Sequence, residues 1–405
     1  MAEPAPSPTP NRPLRIAFIG DRGIPARHSG FSTLVEELAT GLVRDHGMDV
    51  TVYCRSSYYE THPDAYQGVR CRYLPSPGGK SFESIVHSNL AILDAAPRGF
   101  DLVFVVDPGN GPFLLPLKAA RVPVLLHTDG LGWQRRKWSP LQRRYYRWSE
   151  KVSARLADWL VTDARAMQEY YRTEYGAPST YIPYSGAVGD APDDGALARY
   201  NVEPGGYYLA VARMEPENNV DHIIREYRAS GLAKPLIVVG SVPYESEYAR
   251  AVAAENDDLI HCVGGVFQSS VLNALYRNCA AYLHGHEVGG TNPSLLRAMH
   301  HGAPCVPIDV VFHRENLGPD NPYFAKTPGH LAALLRDLDA DPDRRAALGR
   351  AAQAREASAF RWDAVVDGYA TLFREMVAAR KAGHPLSQEA IGEPYRPEHF
   401  VALTG

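Results

Sequence analysis

The sequence has few cysteines and no long hydrophobic run, and these absences exclude several classes of protein. The five cysteines are odd in number, form no C-x-x-C pair and mostly lie in apolar runs, so we expect reduced packing residues. No apolar run reaches the roughly 18 residues that a membrane span requires. The first segment, MAEPAPSPTPNRP, lacks the charged and apolar regions of a signal peptide. These features predict a cytoplasmic protein with a disordered tail at 1–13.

The sequence also lacks an excess of basic residues and a dinucleotide-binding fingerprint. Its net charge of -4 argues against a protein whose main task is to bind nucleic acid. The first glycine-bearing loop, GDRGIPARHSGF, does not have the spacing G-x-G-x-x-G. The next strand-like run ends in Arg55, where an NAD site would place a ribose-binding acid. A nicotinamide oxidoreductase is therefore disfavoured.

Short apolar runs alternate with amphipathic helical stretches in two successive series, which is typical of α/β proteins with parallel sheets. A chain of 405 residues exceeds the usual size of one hydrophobic core, so we expect two domains. A segment rich in Gly, Pro and Asp at 186–205 separates the two series. The predicted units are a first domain at 14–190, a second at 191–359, a helix crossing back to the first domain at 360–382 and a loose tail at 383–405.

The segment GHEVGGTNPSLLRAM, residues 285–299, predicts a strand, a glycine turn and a helix in close succession. Asn292 is a favourable helix cap and Pro293 suits the first helical position. Gly289 and Gly290 allow backbone N–H groups to approach a ligand, and the positive end of the helix dipole favours anions. The segment therefore predicts either a diphosphate site or an ordinary capped connection between a strand and a helix.

Two further segments place polar side chains where a strand ends. Arg213 in ARMEPENN has the planar donor fork that suits phosphate oxygens, although Glu215 and Glu217 could simply balance its charge. His127 and Asp129 in VLLHTDG follow an apolar run, where a histidine is either a core residue or part of a site. Since ligands of doubly wound domains bind at the carboxyl ends of the strands, we expect both segments to face a cleft between the domains.

Five segments together resemble glycosyltransferase family 4, nucleotide-sugar enzymes of the GT-B fold, and in particular its rhamnosyltransferase-like branch. They are RIAFIGDRGIPARHSGF, HTDGLGWQRRKW, YIPY, ARMEPENN and HGHEVGGTNPSLL, and the resemblance runs from Leu14 to about Arg380. It implies two Rossmann-like domains that face each other across a cleft, the second binding the nucleotide diphosphate and the first the acceptor. It also implies a transfer with retention of configuration and without a metal, so no metal site is expected. No cofactor is expected besides the nucleotide-sugar co-substrate.

The resemblance assigns roles to residues of both halves. The implied catalytic residues are His127, Asp129 and Arg213. The implied donor-binding residues are Gly30, Arg213, Asn218, Val263, Gly264, Phe267, Glu287, Gly289, Gly290, Thr291, Asn292 and Arg297. The residues expected to contact the acceptor are Arg27, His28, Arg135 and Arg136.

Two positions depart from the wider family. Asn218 stands where a lysine usually follows the arginine, and Arg297 stands where a glutamate usually holds the ribose hydroxyls. Arginine has no hydrogen-bond acceptor and cannot replace that glutamate. Three interpretations remain: Arg297 adds a cation near the phosphates, another group such as Glu287 holds the ribose, or activity is lost.

The expected reaction is the transfer of a 6-deoxyhexose, such as L-rhamnose or a dihydrostreptose-like sugar, from a dTDP-linked donor to a sugar or aminocyclitol. Such a reaction would serve polysaccharide or antibiotic biosynthesis. The alternatives are a UDP- or GDP-sugar-dependent hexosyltransferase and an impaired nucleotide-sugar-binding protein. The basic and aromatic stretch at 133–148 is either a solvated helix or a contact for a phosphorylated or lipid-linked acceptor, the latter at the inner membrane face.

Overall fold

Two parallel sheets, one in each half of the chain, form the framework of the protein. The structure is a computed structural model, and it describes residues 12–26, 30–77, 82–128, 130–136, 138–242 and 244–395. The predicted tail at 1–13 lies almost wholly outside these residues. The α/β fold with two doubly wound sheets, predicted from the alternation of strands and helices, is confirmed.

The described residues of the first half form eight strands and five α-helices. The strands are β1 (Arg15–Ile19), β2 (Asp49–Arg55), β3 (Ala65–Tyr66), β4 (Val69–Leu74), β5 (Leu102–Val106), β6 (Val124–His127), β7 (Trp159–Thr162) and β8 (Ser179–Tyr181). The helices are α1 (Gly30–His46), α2 (Phe82–Ala95), α3 (Leu115–Ala119), α4 (Pro140–Leu156) and α5 (Arg165–Tyr175). The sheet order is β3-β4-β2-β1-β5-β6-β7-β8, and the short β3 alone is antiparallel to its described neighbour. All five residues of β5, LVFVV, are buried, as expected for a central strand covered on both faces.

The second half repeats this arrangement, with five parallel strands among its described residues. These strands are β9 (Tyr208–Val211), β10 (Leu236–Val239), β11 (Ile260–Gly264), β12 (Ala281–His284) and β13 (Cys305–Pro307), in the order β11-β10-β9-β12-β13. The helices are α6 (Val220–Ser230), α7 (Glu247–Ala254), α8 (Ser269–Asn278), α9 (Pro293–His300) and α10 (Val311–Leu317). The predicted boundary between 190 and 191 falls in the connection from β8 to β9.

The last described helices lead from the second half back to the first. They are α11 (His330–Ala340), α12 (Pro342–Ala359), α13 (Trp362–Ala382) and α14 (Gln388–Ile391). The helices α11 and α12 pack on α6 and α9 of the second half, whereas α13 packs on α1 of the first half. Phe373 of α13 lies 6.0 Å from Phe104 of β5, and Phe104 lies 4.9 Å from Phe18 of β1, between ring centroids. All three rings are buried, and each contributes roughly 1.5–3 kcal/mol through the removal of apolar surface from water. The helix α13 is therefore part of the hydrophobic core of the first half.

The sequence pattern missed several elements, among them α5, a helix of 11 residues. Its N-terminal neighbour, Ala164, has no side chain that can cap a helix. The cap is supplied instead by Glu315 of α10, whose carboxylate accepts hydrogen bonds from the N–H groups of Arg165 (3.0 Å) and Ala166 (2.6 Å). A cap 150 residues away leaves no local signal, so the pattern around α5 could not reveal where this helix begins.

Candidate active site

The carboxyl ends of the second sheet bring together two of the segments singled out in the sequence. The strand order reverses at β9, because β10 and β11 lie on one side of it and β12 and β13 on the other. The loops after β9 and β12 therefore flank the crevice where such sheets bind ligands. The two loops are hydrogen-bonded: Asn219 Nδ2 donates to the Gly285 carbonyl (2.7 Å), and Glu287 N–H donates to the Glu217 carbonyl (3.1 Å). The loop of Arg213 and the glycine turn therefore form one structural unit.

The helix α9 begins as its sequence predicts. The Asn292 side chain accepts hydrogen bonds from the Ser294 N–H (3.0 Å) and the Ser294 hydroxyl (2.8 Å), and Pro293 is the first helical residue. Gly302, with a φ of 70°, follows the end of the helix. The first amides of α9 and its dipole therefore provide an anion-binding helix start beside the glycine turn.

The glycine turn packs tightly against the first half of the chain. A Cβ on Gly130 would lie 2.1 Å from the Gly289 Cα, and a Cβ on Gly290 would lie 2.0 Å from Asp163 Oδ1. The Thr291 hydroxyl donates to the Asp163 carbonyl (2.5 Å). Glycine is required at 130 and 290 by this close approach, which joins the ends of β6 and β7 to the start of α9.

Arg213 and Arg135, which the sequence assigned to opposite sides of the cleft, act on the same histidine. Arg213 is exposed, and its carbonyl is held by the Asn218 side-chain amide (2.7 Å). Burial, then His313 and the charges of Arg213 and Arg135, lower the pKa of His286 to about 3. The charges of both arginines thus reach His286 of the second half, while the Asn218 amide, which was predicted to bind the donor, bonds within its own loop.

Glu287 forms two ion pairs, one of which crosses the cleft. Its carboxylate pairs with Lys326 of the second half and with Arg136 of the first half, the latter at 3.3 Å. An exposed pair of this kind contributes roughly 0–1 kcal/mol. The structure thus brings together Glu287, predicted to bind the donor, and Arg136, predicted to bind the acceptor.

The side chain of Arg297 points toward the start of α8. Its Nε donates to Asn273 Oδ1 (2.6 Å) and its Nη2 donates to the Ser269 carbonyl (3.1 Å). In the described part of the chain no carboxylate pairs with it, and burial lowers the pKa of this guanidinium. The Asn273 amide nitrogen is itself held by the carbonyls of Val188 (3.1 Å) and Asp190 (2.7 Å), so its oxygen faces Arg297. The hydrogen-bond donors of the Arg297 guanidinium are therefore matched by hydrogen-bond acceptors on α8.

The remaining predicted residues differ in exposure. Phe267 is 74% exposed beside the end of β11, near Gly264, which has a φ of 71°, and Val263 is half-buried. His127 is fully buried, with its ring 5.7 Å from Tyr184 and 6.3 Å from Phe104. Gly30 is the first residue of α1. Asp129, Arg27 and His28 lie outside the described residues, so their predicted roles stay predictions.

Sequence reasoning missed the corresponding crevice of the first sheet. The strand order reverses between β1 and β5, because β2 and β4 lie on one side of β1 and β5 on the other, so the loops after β1 and β5 flank a second ligand crevice. The loop after β5 is DPGNGPF, which begins with Asp107 at a positive φ (φ 72°, ψ 117°). A charged residue followed by Gly and Pro directly after a fully apolar run was the signal that could have revealed it.

The basic and aromatic stretch forms a surface patch on α4. A shallow pocket of about 390 Å³ is lined by the basic-aromatic patch, which comprises Trp133, Arg143, Arg144, Arg147, Trp148 and Lys151. Trp148 and the neighbouring Leu141 are 53% and 77% exposed. No helix among the described residues is long and apolar enough to cross a membrane. Nor do the described His, Cys, Asp and Glu side chains include a group of three arranged to hold a metal ion.

Comparisons with known proteins agree with this architecture. Residues 14–187 match a family described as a domain of unknown function, DUF1972, and residues 206–341 match the family described as glycosyl transferases group 1. The solved sucrose-phosphate synthase from Thermosynechococcus elongatus is 20% identical, with a TM-score of 0.77 over 90% of this chain and 100% of that chain. Anabaena HepE, solved in complex with UDP-glucose, is 14% identical, with a TM-score of 0.67 over 91% of this chain and 100% of that chain. No curated protein matches the chain.

The fold and the matched second half define the class. The chain has the GT-B fold, and its second half carries a glycosyl transferase group 1 domain. Together these findings indicate a glycosyltransferase of the GT-B type.

Proposed function

We propose that the chain is a nucleotide-sugar-dependent glycosyltransferase of family 4, in the rhamnosyltransferase-like branch. The observation that carries this proposal is the meeting of the Arg213 loop with the capped start of α9 at the crevice of the second sheet. A guanidinium and a helix N-terminus directed at one crevice suit a diphosphate. The HepE structures with UDP and UDP-glucose support a nucleotide sugar as the ligand of this fold.

The proposed chemistry is transfer with retention and without a bound metal. Arg213 and the amides of Gly290, Thr291 and Asn292 would stabilise the charge that develops on the leaving diphosphate. An oxygen of that diphosphate can then accept the proton of the acceptor hydroxyl on the same face of the sugar, so the protein need not provide a nucleophile. His127 and Asp129 would lie near the donor sugar, and Phe267 near the base.

The proposed donor is a dTDP-linked 6-deoxyhexose, such as L-rhamnose or a dihydrostreptose-like sugar. Arg297 is committed to two acceptors on α8 and leaves no carboxylate at the family's ribose position. A deoxyribose lacks the 2′-hydroxyl and loses less from this change. The proposed acceptor is a sugar or an aminocyclitol of polysaccharide or antibiotic biosynthesis, approached by Arg135 and Arg136. A UDP- or GDP-sugar donor is the alternative.

A ligand panel with a matched pair of arginine variants tests the proposal. dTDP, UDP, GDP and ADP are added separately to the wild type, to Arg213→Ala and to Arg350→Ala, which removes an exposed arginine on α12. A nucleotide at about 100 times its dissociation constant should add about 2.7 kcal/mol of stability. We expect dTDP to stabilise the wild type and Arg350→Ala, but Arg213→Ala much less.

Two results would contradict parts of this proposal. Stabilisation by UDP or GDP and not by dTDP would show that the proposed dTDP-linked donor is wrong. Stabilisation of Arg213→Ala by the nucleotide as strong as that of the wild type would show that Arg213 does not bind the diphosphate. With an accepted donor, Arg213→Ala should lower the rate roughly 10²-fold, about 3 kcal/mol, by analogy with the loss of one oxyanion donor.

A second candidate is a nucleotide-sugar-binding protein with impaired catalysis. It is favoured by the Asn218 amide, which bonds to the Arg213 carbonyl, and by Arg297 in place of the family's glutamate. This candidate predicts nucleotide binding without turnover. Detection of nucleotide diphosphate release with any accepted donor would exclude it.

A further inference from the structure

We propose that Glu315 of α10 is a positioning residue for the transfer, because its carboxylate holds the donor-binding second half against the start of α5 in the first half. We call this contact the Glu315 latch. The inference rests on the proposed function, since the latch would keep a bound acceptor close to a bound donor. It goes beyond that function by assigning a role to a residue that contributes no atom to the proposed donor or acceptor sites.

The first observation is that Glu315 bonds across the two halves of the chain. Its two carboxylate oxygens accept hydrogen bonds from separate N–H groups, those of Arg165 (3.0 Å) and Ala166 (2.6 Å). Glu315 is 8% exposed, so these bonds are largely shielded from water. A carboxylate at a helix N-terminus also interacts favourably with the helix dipole, and charged acceptors form the stronger hydrogen bonds. The start of α5 is therefore held by the second half.

The second observation is that α5 lacks a cap within its own half. Ala164, the residue before the helix, has extended backbone angles (φ -140°, ψ 145°) that suit a capping residue, but alanine has no side-chain acceptor. A serine or aspartate at this position could accept a hydrogen bond from the first turn of α5 locally. With alanine there, the capping carboxylate comes from the other half of the chain, so the stability of α5 depends on contact between the halves.

The third observation is that α10 lies between the first half and the donor loop. Phe312 packs against the hydrophobic core of the first half. Because Phe312 and Glu315 are three residues apart, they share the face of α10 that contacts the first half. The buried ring of His313 lies 4.7 Å from the ring of His284, at the end of β12, and His284 is stacked on His286 at 4.3 Å, between ring centroids. The helix thus connects the first half to the segment that leads into the glycine turn.

The fourth observation is a second contact between the halves beside the latch. Asn316 is 1% exposed, and its amide oxygen lies 3.5 Å from the hydroxyl of Thr291, which donates to the Asp163 carbonyl (2.5 Å). Arg355 of α12 fixes this end of α10 by donating to the carbonyls of Glu315 (2.8 Å) and Asn316 (2.6 Å). The turn between β7 and α5 is therefore joined to the second half twice, at Glu315 and at the proposed donor residue Thr291.

The latch should affect turnover more than donor binding. Transfer requires the donor and the acceptor, which are proposed to bind different halves, to be brought into contact. A bond between the halves favours the arrangement in which it forms, so its loss lowers the fraction of molecules in that arrangement. The residues proposed to bind the diphosphate belong to the second half and keep their own contacts. We therefore expect slower transfer at an unchanged affinity for the donor.

Hydrogen exchange of the full chain, followed by mass spectrometry, tests the latch without any ligand. The variants are Glu315→Ala, Glu315→Gln, which keeps one acceptor oxygen, and Glu315→Ala combined with Ala164→Ser, which supplies a local cap but no bond between the halves. The controls are Ala164→Ser alone and Glu375→Ala, which removes an exposed glutamate on α13. We expect Glu315→Ala to exchange roughly tenfold faster than the wild type in both α5 and α10, and Glu315→Gln to lie between them.

The double variant separates a latch from a simple helix cap. We expect Ala164→Ser to restore the protection of α5 but not that of α10, and both controls to match the wild type. With an accepted donor, Glu315→Ala should lower kcat roughly tenfold at an unchanged donor KM. Restoration of both helices by Ala164→Ser would show that Glu315 only caps α5, and would overturn the inference.

Two further outcomes would also overturn it: wild-type exchange of α10 in Glu315→Ala, and equal turnover by that variant and the wild type. The exchange measurement needs no nucleotide, so its result does not depend on the identity of the donor. The dTDP-induced thermal shift is measured in parallel and should be the same in Glu315→Ala and the wild type. Absence of that shift in the wild type would refute the dTDP site instead.

Discussion

Replacement of Arg297 by the family's usual glutamate should damage this protein. In the structure, position 297 faces two acceptors, Asn273 Oδ1 and the Ser269 carbonyl. Asn273 cannot rotate its amide without breaking its hydrogen bonds to the carbonyls of Val188 and Asp190. Arg297→Glu would therefore place a carboxylate against two oxygens, with no donor supplied by these partners.

The size of the effect follows from burial. An unpaired charge left inside a protein typically costs 3–5 kcal/mol, and each acceptor that loses its donor costs about 1–3 kcal/mol, partly overlapping with that figure. We expect Arg297→Glu to lose about 3–5 kcal/mol of unfolding free energy at pH 8, which lowers the thermal midpoint by roughly 10 °C. The pKa of the new carboxyl should be raised, so the deficit is smallest below its unfolded pKa of about 4.3 and grows as the pH rises.

The assay is thermal unfolding of the wild type, Arg297→Glu and Arg297→Lys at pH 5 and pH 8, with and without UDP and dTDP. Arg297→Lys keeps a cationic donor and should retain most of the stability. If Arg297→Glu is as stable as the wild type and binds UDP at least tenfold more tightly than the wild type does, the reasoning fails. Such a result would mean that glutamate at position 297 restores the ribose-binding site usual in the family, and that the surroundings of Arg297 are not adapted to arginine.

Two further predictions concern α4. Glu150 is 1% exposed, and burial raises its pKa to about 7 despite hydrogen bonds from two tyrosine hydroxyls. Because the pKa is raised in the folded state, the contribution of Glu150 to stability is fully present below its unfolded pKa near 4.5 and is lost as the pH rises through 7. Relative to the wild type, Glu150→Gln should therefore gain up to about 3 kcal/mol of unfolding free energy at pH 8 and almost nothing at pH 4, as measured by urea unfolding. The basic-aromatic patch should carry the protein to anionic liposomes at low salt, and combined Arg144→Glu and Lys151→Glu substitutions should abolish sedimentation with them. Wild-type protein that stays in the supernatant would refute the membrane contact.

The sequence alone was most informative where structure depends on neighbouring residues. The start of α9 was predicted from Asn292 and Pro293, because a helix cap is built from residues one or two positions apart. The two parallel sheets followed from fully apolar runs such as β5, whose burial on both faces requires such runs. The resemblance to known glycosyltransferases likewise rested on contiguous segments.

The tertiary structure decided what depends on residues far apart in the chain. The cap of α5 comes from Glu315, and Glu287 pairs with both Arg136 and Lys326. These partners are far apart in the sequence, so no local pattern could predict the contacts.

The sequence therefore determined most of the strands and helices, the fold and the anion-binding helix start, since propensity, capping and apolar periodicity are local properties. It could show that Arg297 departs from its family, but not that Asn273 and Ser269 present matching acceptors. Hydrogen-bond complementarity between separate helices is a property of their packing. Only the folded chain could show that this arginine has a structured environment of its own.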